Sequence, residues 1–132
     1  MPSVFTRIVQ GELPAHKVYE DDRFLAFLDI GPVAVGHTLV IPKEEVDHLF
    51  DLDEATYTGL FAVVRRVAAA IQDGFRPPRV GVVVAGFEVP HAHVHVIPIA
   101  ALAQTNIEAG NRISQTDEEL AATAETLRAA LS

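Results

Sequence analysis

The sequence predicts an α+β fold built on an antiparallel sheet of about five strands. Histidines alternate with small apolar residues over 91–96, which is the two-residue period of a β-strand. A short connection joins that stretch to the apolar run at 79–85, so the two strands are expected to pair antiparallel. Between 54 and 73, apolar residues recur at the three- and four-residue spacing of an amphipathic helix. The 132 residues are expected to form one domain, 1–132.

The N-terminal part of the sequence predicts a short helix or turn at 4–10. Three strands are expected after it, at 17–20, 23–29 and 38–42. Asp21 and Asp22 form a plausible tight turn between the first two strands. Both faces of the 23–29 strand are largely apolar, which indicates that it is covered on both sides. A loop at 31–36 separates it from the third strand, which is expected to be buried.

Two helices and a further strand are expected in the rest of the chain. Asp53 is a good N-cap for the long helix at about 54–73, and Gly74 is expected to end it. The β-branched run at 79–85 indicates a central strand. Near the C-terminus, Thr116 can cap a helix at about 117–130 in a capping box with Glu119.

Composition restricts the possible partners. The formal net charge is −8 and the pI is near 5.1, which argues against nucleic acid as a partner, because such proteins usually carry a basic stripe. No run approaches the roughly 20 apolar residues that span a membrane, so no membrane partner is expected. The N-terminus shows no secretory signal pattern, and a cytoplasmic location is expected. The sequence has no cysteine, so a disulfide framework is impossible.

Three of the six histidines are the candidate catalytic residues: His91, His93 and His95. On a regular strand their imidazoles would share one face, with the outer two roughly 13 Å apart. Incidental polar histidines are one reading. A zinc site is another, although three histidines on one straight strand are poorly placed for bonds of about 2.0 Å. Nucleophilic catalysis is the third, because a neutral imidazole with an ordinary pKa of about 6.5 is a competent nucleophile at neutral pH.

Four blocks of sequence, in this order, resemble the histidine triad (HIT) family. The triad run and Pro98 are similar to that family's signature, and Gly36 to Lys43 are similar to its G-H-x-L-V-I-P-K block. Residues 18–30 and 4–8 supply the other two blocks. The resemblance covers roughly residues 4–98 and implies a nucleotide hydrolase or transferase. It also implies a homodimer whose interface includes the long helix.

The resemblance implies a mechanism through a nucleotidyl-His93 intermediate, formed on a purine nucleoside phosphoramidate or related anhydride. The substrate or product is then an AMP-like purine nucleotide. His95 would hold a phosphate oxygen, whereas His91 and His37 would orient the nucleophile. No cofactor and no metal are implied for this scheme. A non-catalytic nucleotide-binding protein remains the first alternative. A metal-dependent hydrolase that uses His91, His93 and Glu88 is the second.

The resemblance also implies a set of nucleotide-binding residues. Asp29 would accept hydrogen bonds from the ribose diol, because a carboxylate offers several acceptor sites. A turn residue before Gly31 is its simpler interpretation. The backbone N–H of Val89 would stabilise transition-state charge. The complete set is Phe5, Ile8, Phe27, Leu28, Asp29, Ile30, Gly86, Glu88 and Val89.

The sequence departs from the family pattern in two regions. Ser3 and Thr6 stand where zinc-binding members have a cysteine pair, and Glu45 stands where they often have a histidine. Phe87 replaces a common glutamine, and valines at 82–84 replace a common asparagine. Phe87 is therefore expected to pack as an apolar lid or core residue, with the Glu88 side chain pointing away from the phosphate.

Overall fold

A computed structural model describes residues 2–132 and confirms the predicted α+β class. One five-stranded sheet has the order β1-β2-β3-β5-β4, and all neighbouring strands are antiparallel. The regular elements are α1 (Val4–Val9), β1 (Lys17–Glu20), β2 (Phe24–Leu28), β3 (Thr38–Pro42), α2 (Glu54–Phe75), β4 (Arg79–Val83), β5 (Val94–Ile99) and α3 (Asp117–Leu131). Short 3₁₀ turns lie at Leu49–Asp51, Leu102–Thr105 and Ala109–Asn111.

Apolar residues on both faces of β2 form two separate cores. Phe24, Ala26 and Leu28 belong to the larger core, which also contains the apolar stripes of α2 and α3. Leu25 and Phe27 belong to a smaller core with residues of α1 and β3. All five β2 residues are buried, which confirms that this strand is covered on both sides. α1 is therefore held against the sheet face opposite the long helices, where the smaller core forms.

The two long helices begin where the sequence predicts. Asp53 caps α2 by accepting from the backbone N–H of Thr56, and Thr116 and Glu119 form the predicted capping box of α3. The expected end of α2 at Gly74 is wrong, because the helix continues to Phe75. Arg76 then adopts a left-handed conformation with φ of 49°, and two prolines follow that cannot continue the helix. α3 ends one residue later than expected, at Leu131.

Two expectations for the last strands are wrong. β4 ends at Val83 and lies at the edge of the sheet instead of its centre, with half of the Val82 side chain exposed. β5 begins at Val94, so the first two triad histidines precede it. The reason is visible in the backbone: the N–H of His91 bonds to Val89 O at 2.8 Å, and that of Ala92 bonds to Val46 O at 2.7 Å. These bonds hold the segment as a tight loop. None of the helices described within residues 2–132 has both the length and the apolar character that a membrane span requires.

Candidate active site

The triad histidines lie where two cavities meet. The first cavity, of about 420 Å³, runs from α1 and the end of β2 to His93 and His95. Its far end is apolar and its near end carries Asp29, Glu88 and Arg112. The second cavity has a similar volume, of about 420 Å³, and shares Glu88, His93 and His95 with the first. A ligand in either cavity therefore reaches the same two imidazoles.

His91 is buried and ties α1 to the triad. Its Nε2 lies 2.8 Å from the carbonyl of Pro42, and a carbonyl only accepts, so Nε2 carries the proton. Its Nδ1 then accepts from the hydroxyl of Ser3, the N-cap of α1, at 2.8 Å. Glu45 accepts from the Ser3 N–H at 2.7 Å and from the Thr6 hydroxyl at 2.6 Å. The positions where the sequence departs from zinc-binding relatives thus form a hydrogen-bonded network around Nδ1 of His91.

A backbone carbonyl also fixes the tautomer of His93. Its Nδ1 lies 2.7 Å from the carbonyl oxygen of His91, so Nδ1 must donate. Nε2 of the neutral ring then keeps its lone pair. The ring of Phe5 packs edge-on against that of His93, with the centroids 5.1 Å apart. Backbone and neighbouring ring together orient His93 with a free nucleophilic nitrogen.

His37 and His95 form a relay with one defined direction. The backbone N–H of Val33 donates to Nδ1 of His37 at 3.1 Å, so the proton of the neutral ring is on Nε2. That nitrogen lies 2.9 Å from Nδ1 of His95 and donates to it. Nε2 of His95 therefore carries a proton, and it has no hydrogen-bond partner among residues 2–132 although it is buried. A buried unpaired donor indicates that a ligand supplies the acceptor.

Burial keeps the imidazoles of His37, His91 and His95 neutral at physiological pH. It lowers the pKa of His37 to about 4, although the negative charge of Asp29 opposes this effect. Burial, with the neighbouring His37 and His93, lowers the pKa of His95 to about 3. Burial also lowers the pKa of His91. Neutral rings are what the two tautomer assignments at His37 and His95 require.

Arg112 joins the segment after β5 to the cavity. Its guanidinium donates to Asp29 Oδ2 at 2.6 Å, to the Gly31 carbonyl at 2.8 Å and to Glu88 at 3.1 Å. Asp29 Oδ1 accepts from the Gly31 N–H at 2.9 Å, as an ordinary turn residue would. Arg112 is not among the site residues that the sequence predicts. It lies 83 residues from Asp29, and no local pattern in the chain indicates the pairing.

The structure brings most of the predicted site residues together. The first cavity contains both His93 and His95 and eight of the nine expected nucleotide-binding residues, namely Phe5, Ile8, Phe27, Leu28, Asp29, Ile30, Glu88 and Val89. Gly86 lines the second cavity instead. His37 and His91 line neither and lie behind the other two histidines.

The expectation of a core position for Phe87 is wrong. Its side chain is 95% exposed, because the loop after β4 carries it away from both hydrophobic cores. It borders the second cavity. The carboxylate of Glu88 is directed to Arg112, at the junction of the two cavities.

One group in the described part of the chain could hold a metal ion: Asp29, His37 and His95, with ligand atoms within 4.8 Å of one another. Two imidazoles and a carboxylate form a donor set that zinc accepts. An ion between the rings would replace the proton shared by Nε2 of His37 and Nδ1 of His95, which are 2.9 Å apart. The alternative set of His91, His93 and Glu88 does not come together as a ligand group among these residues.

Comparison with known proteins shows the family. Residues 10–102 match the HIT domain. The chain belongs to the HIT family. Protein hit of Bacillus subtilis is 40% identical over 100 residues, covering 72% of this HIT chain and 69% of that protein. The adenosine 5′-monophosphoramidase hnt1 of Schizosaccharomyces pombe is 35% identical over 99 residues, covering 74% of each.

Solved structures of HIT proteins share the whole architecture. A Hit-like protein from Bartonella henselae is 36% identical with a TM-score of 0.86, over 98% of this chain and 96% of that one. A zinc-bound histidine triad protein from Mycobacterium smegmatis is 35% identical with a TM-score of 0.80, over 97% and 91% of the two chains. The likeness therefore includes the C-terminal segment that carries Arg112.

Proposed function

We propose that this HIT protein hydrolyses purine nucleoside 5′-phosphoramidates at the phosphorus–nitrogen bond, or related nucleotide anhydrides, through a nucleotidyl-His93 intermediate. One observation carries the proposal. The fixed hydrogen-bond directions give His93 a lone pair on Nε2 and give His95 a proton on Nε2, and both residues line the same cavity. Attack on a phosphate requires a nucleophile and, beside it, a hydrogen-bond donor that is free to bind a phosphate oxygen. The named activity of the fission yeast relative hnt1 supports the same reaction.

The reaction proceeds in two steps. Nε2 of His93 attacks the α-phosphorus, the bond to the leaving nitrogen breaks, and that nitrogen takes a proton from water. The His93 ring becomes cationic in the adduct, and its Nδ1–H remains bonded to the carbonyl of His91 at 2.7 Å. Water then attacks phosphorus and gives up a proton, which neutralises the hydroxide left by the first step. The phosphorus–nitrogen bond to His93 breaks, the nucleotide is released, and the electron pair returns to Nε2 of His93. The Nε2–H of His95 donates to a non-bridging oxygen throughout.

The first cavity is proposed to hold the nucleoside. Its apolar end, formed by Phe5, Ile8 and Phe27 among others, suits the faces of a purine. Asp29 keeps acceptor capacity for the ribose diol, because each of its oxygens accepts one bond and has a further lone pair. The backbone N–H of Val89 is proposed to support the transferred phosphate.

We also propose that the protein is a homodimer. β4 is an edge strand in which Val82 is 48% exposed, and Val84, just beyond its end, is 40% exposed. Edge strands with apolar faces are usually covered or paired. Sedimentation of the purified protein tests this proposal. The cytoplasmic location stays a prediction.

The substitution His93→Ala tests the proposed function. It is expected to abolish turnover of an adenosine phosphoramidate while nucleotide binding persists, because the other cavity residues remain. Intact-mass analysis of a quenched wild-type reaction should show an acid-labile nucleotidyl adduct on His93. His48→Ala is the matched control, since the His48 side chain is 76% exposed and lies outside both cavities.

Three results would contradict the proposal in different ways. Nucleotide binding without turnover in the wild type would favour the non-catalytic alternative. An adduct on another residue would move the nucleophile. Activity that disappears in chelator and returns with zinc would favour a metal-dependent hydrolase that uses Asp29, His37 and His95.

A further inference from the structure

The second cavity has a chemical character of its own. It is lined by Ala85, Gly86, Phe87, Glu88, His93, His95, Ile107 and Glu108. The charged side chains in this lining are carboxylates, those of Glu88 and Glu108, and the lining contains no lysine or arginine. Phe87 and Ile107 add apolar wall. The site therefore combines negative charge with hydrophobic surface, next to the two imidazoles at the junction.

Arg112, the cationic side chain that contacts Glu88, does not change this balance. Arg112 belongs to the first cavity and not to the second. Its guanidinium is shared between Asp29 at 2.6 Å and Glu88 at 3.1 Å. The guanidinium of Arg112 is outnumbered by the carboxylates of Asp29, Glu88 and Glu108. When all four groups are ionised, their net charge is −2. A polyanion entering the second cavity would meet repulsion, whereas a cation would be attracted.

One residue that lines this cavity carries a buried hydrogen-bond donor without a partner in the described part of the chain. Nε2–H of His95 has no partner among residues 2–132, and His95 lines the second cavity as well as the first. A phosphate oxygen at the junction would satisfy this donor. With the nucleoside in the first cavity and phosphorus at His93, the remaining substituent on phosphorus has the second cavity beside it. Glu88 and Glu108 then surround the leaving group.

We propose that the second cavity is a leaving-group subsite, selective for amines that carry an additional protonated amine on a short aliphatic chain. The inference rests on the proposed function. On attack by His93, the phosphorus–nitrogen bond breaks and the leaving nitrogen takes a proton from water. The distal ammonium stays intact and interacts with Glu88 and Glu108. Polyphosphate leaving groups are disfavoured by the same carboxylates.

Three adenosine 5′-phosphoramidates of similar length test the subsite. They are made from 1,4-diaminobutane, pentylamine and 4-aminobutanoate, so the distal end is cationic, neutral or anionic. We expect kcat/KM to fall in that order by about two- to fivefold per step, the size of exposed charge interactions. The preference should weaken as salt is raised, because exposed charges are screened. Equal values for the three compounds, or a preference for the anionic one, would overturn the proposal.

Glu108→Gln locates the effect. It should reduce the ratio of kcat/KM for the cationic to the anionic compound by about two- to fivefold. Glu125→Gln is the matched control, because Glu125 is exposed on α3, lies outside both cavities and changes the net charge equally. A similar fall in both variants would assign the preference to overall charge and overturn the subsite.

The two proposals can fail separately. If wild-type protein turned over none of the three compounds, the proposed function would fail. Calorimetric titration of the intact compounds into His93→Ala would then decide the subsite by itself, through the order of the Kd values. Turnover without any charge preference would leave the function standing and refute the subsite.

Discussion

At the scale of single residues, the direction of hydrogen bonds gives each histidine its task. Backbone groups cannot exchange donor for acceptor, so the Val33 N–H, the Pro42 carbonyl and the His91 carbonyl fix the rings of His37, His91 and His93. The hydrogen bond from His37 then fixes the proton of His95. His93 is left as a nucleophile and His95 as a donor, although both rings are chemically identical. The two histidines therefore have different roles because their protons lie on different ring nitrogens, which the residue type alone does not determine.

Asp29 provides the first residue-scale prediction. Asp29→Ala should weaken adenosine monophosphate binding by roughly 1.5–3 kcal/mol, the worth of hydrogen bonds to a charged group. The 2′,3′-dideoxy analogue should lose much less, because it has no diol to bind. Calorimetric titration of both ligands gives the difference. Comparing ligands on one variant cancels any disturbance that arises from losing the Arg112 partner.

Asp22→Ala, in the exposed turn after β1, should leave both affinities as they are. An equal loss for the two ligands in Asp29→Ala would leave Asp29 only its structural role as the acceptor for Gly31 and Arg112.

At the scale of elements, the sheet depends on close contact with α2. Gly59 of this helix faces the ring of Phe24 on β2, and a Cβ placed there would lie 2.7 Å from the ring carbon Cζ. The helix therefore approaches β2 more closely at this turn than alanine would allow. β2 leads directly to Asp29, so this packing also positions the cavity.

Gly59→Ala should destabilise the protein by about 1–3 kcal/mol, the usual cost of overpacking a core. In an exposed helix the same change would be favourable by about 1 kcal/mol, so the sign of the effect is diagnostic. Urea denaturation followed by circular dichroism measures it. Phe24→Leu in the same chain should recover part of the loss, because the shorter side chain leaves space. A stabilised Gly59→Ala variant would mean that β2 and α2 are less closely packed.

At the scale of the whole molecule, burying several neutral imidazoles makes stability depend on pH. The folded-state pKa values of His37 and His95, about 4 and about 3, lie below the ordinary value of 6.5. Below about pH 6.5 the unfolded chain therefore binds more protons than the folded chain. This contribution is fully present above 6.5 and is lost as the pH falls through about 4 for His37 and about 3 for His95.

The free energy of unfolding should consequently decrease between pH 7 and pH 5, before most carboxylates titrate. Urea titrations at half-unit intervals measure the slope. His95→Gln should give a shallower slope than the wild type, whatever its absolute stability. His48→Gln is the control and should keep the wild-type slope, because His48 is exposed. A wild-type stability that stays flat from pH 7 to pH 5 would contradict neutral buried rings.

The sequence by itself determined the features that depend on neighbours along the chain. Strand periodicity, the Asp53 and Thr116 caps and the order of the four HIT blocks are local patterns, and they predicted the fold class, the helices and most of the cavity lining. Local rules also explain the errors. Gly74 is a frequent helix terminator, and the β-branched run at β4 suits a central strand, but contacts elsewhere in the molecule decided otherwise.

Tertiary structure alone decided which nitrogen of each imidazole carries the proton, that Arg112 reaches Asp29, and that two cavities share one pair of histidines. The tautomers of His91 and His95 and the pairing of Arg112 depend on groups tens of residues apart, whose distance is set only when the sheet and helices pack. His37 and His93 are fixed by nearby backbone groups, but only in the loop conformations that the packed fold imposes. Hydrogen bonds and ion pairs act over a few ångströms, so a sequence pattern can supply the chemical groups without fixing their partners.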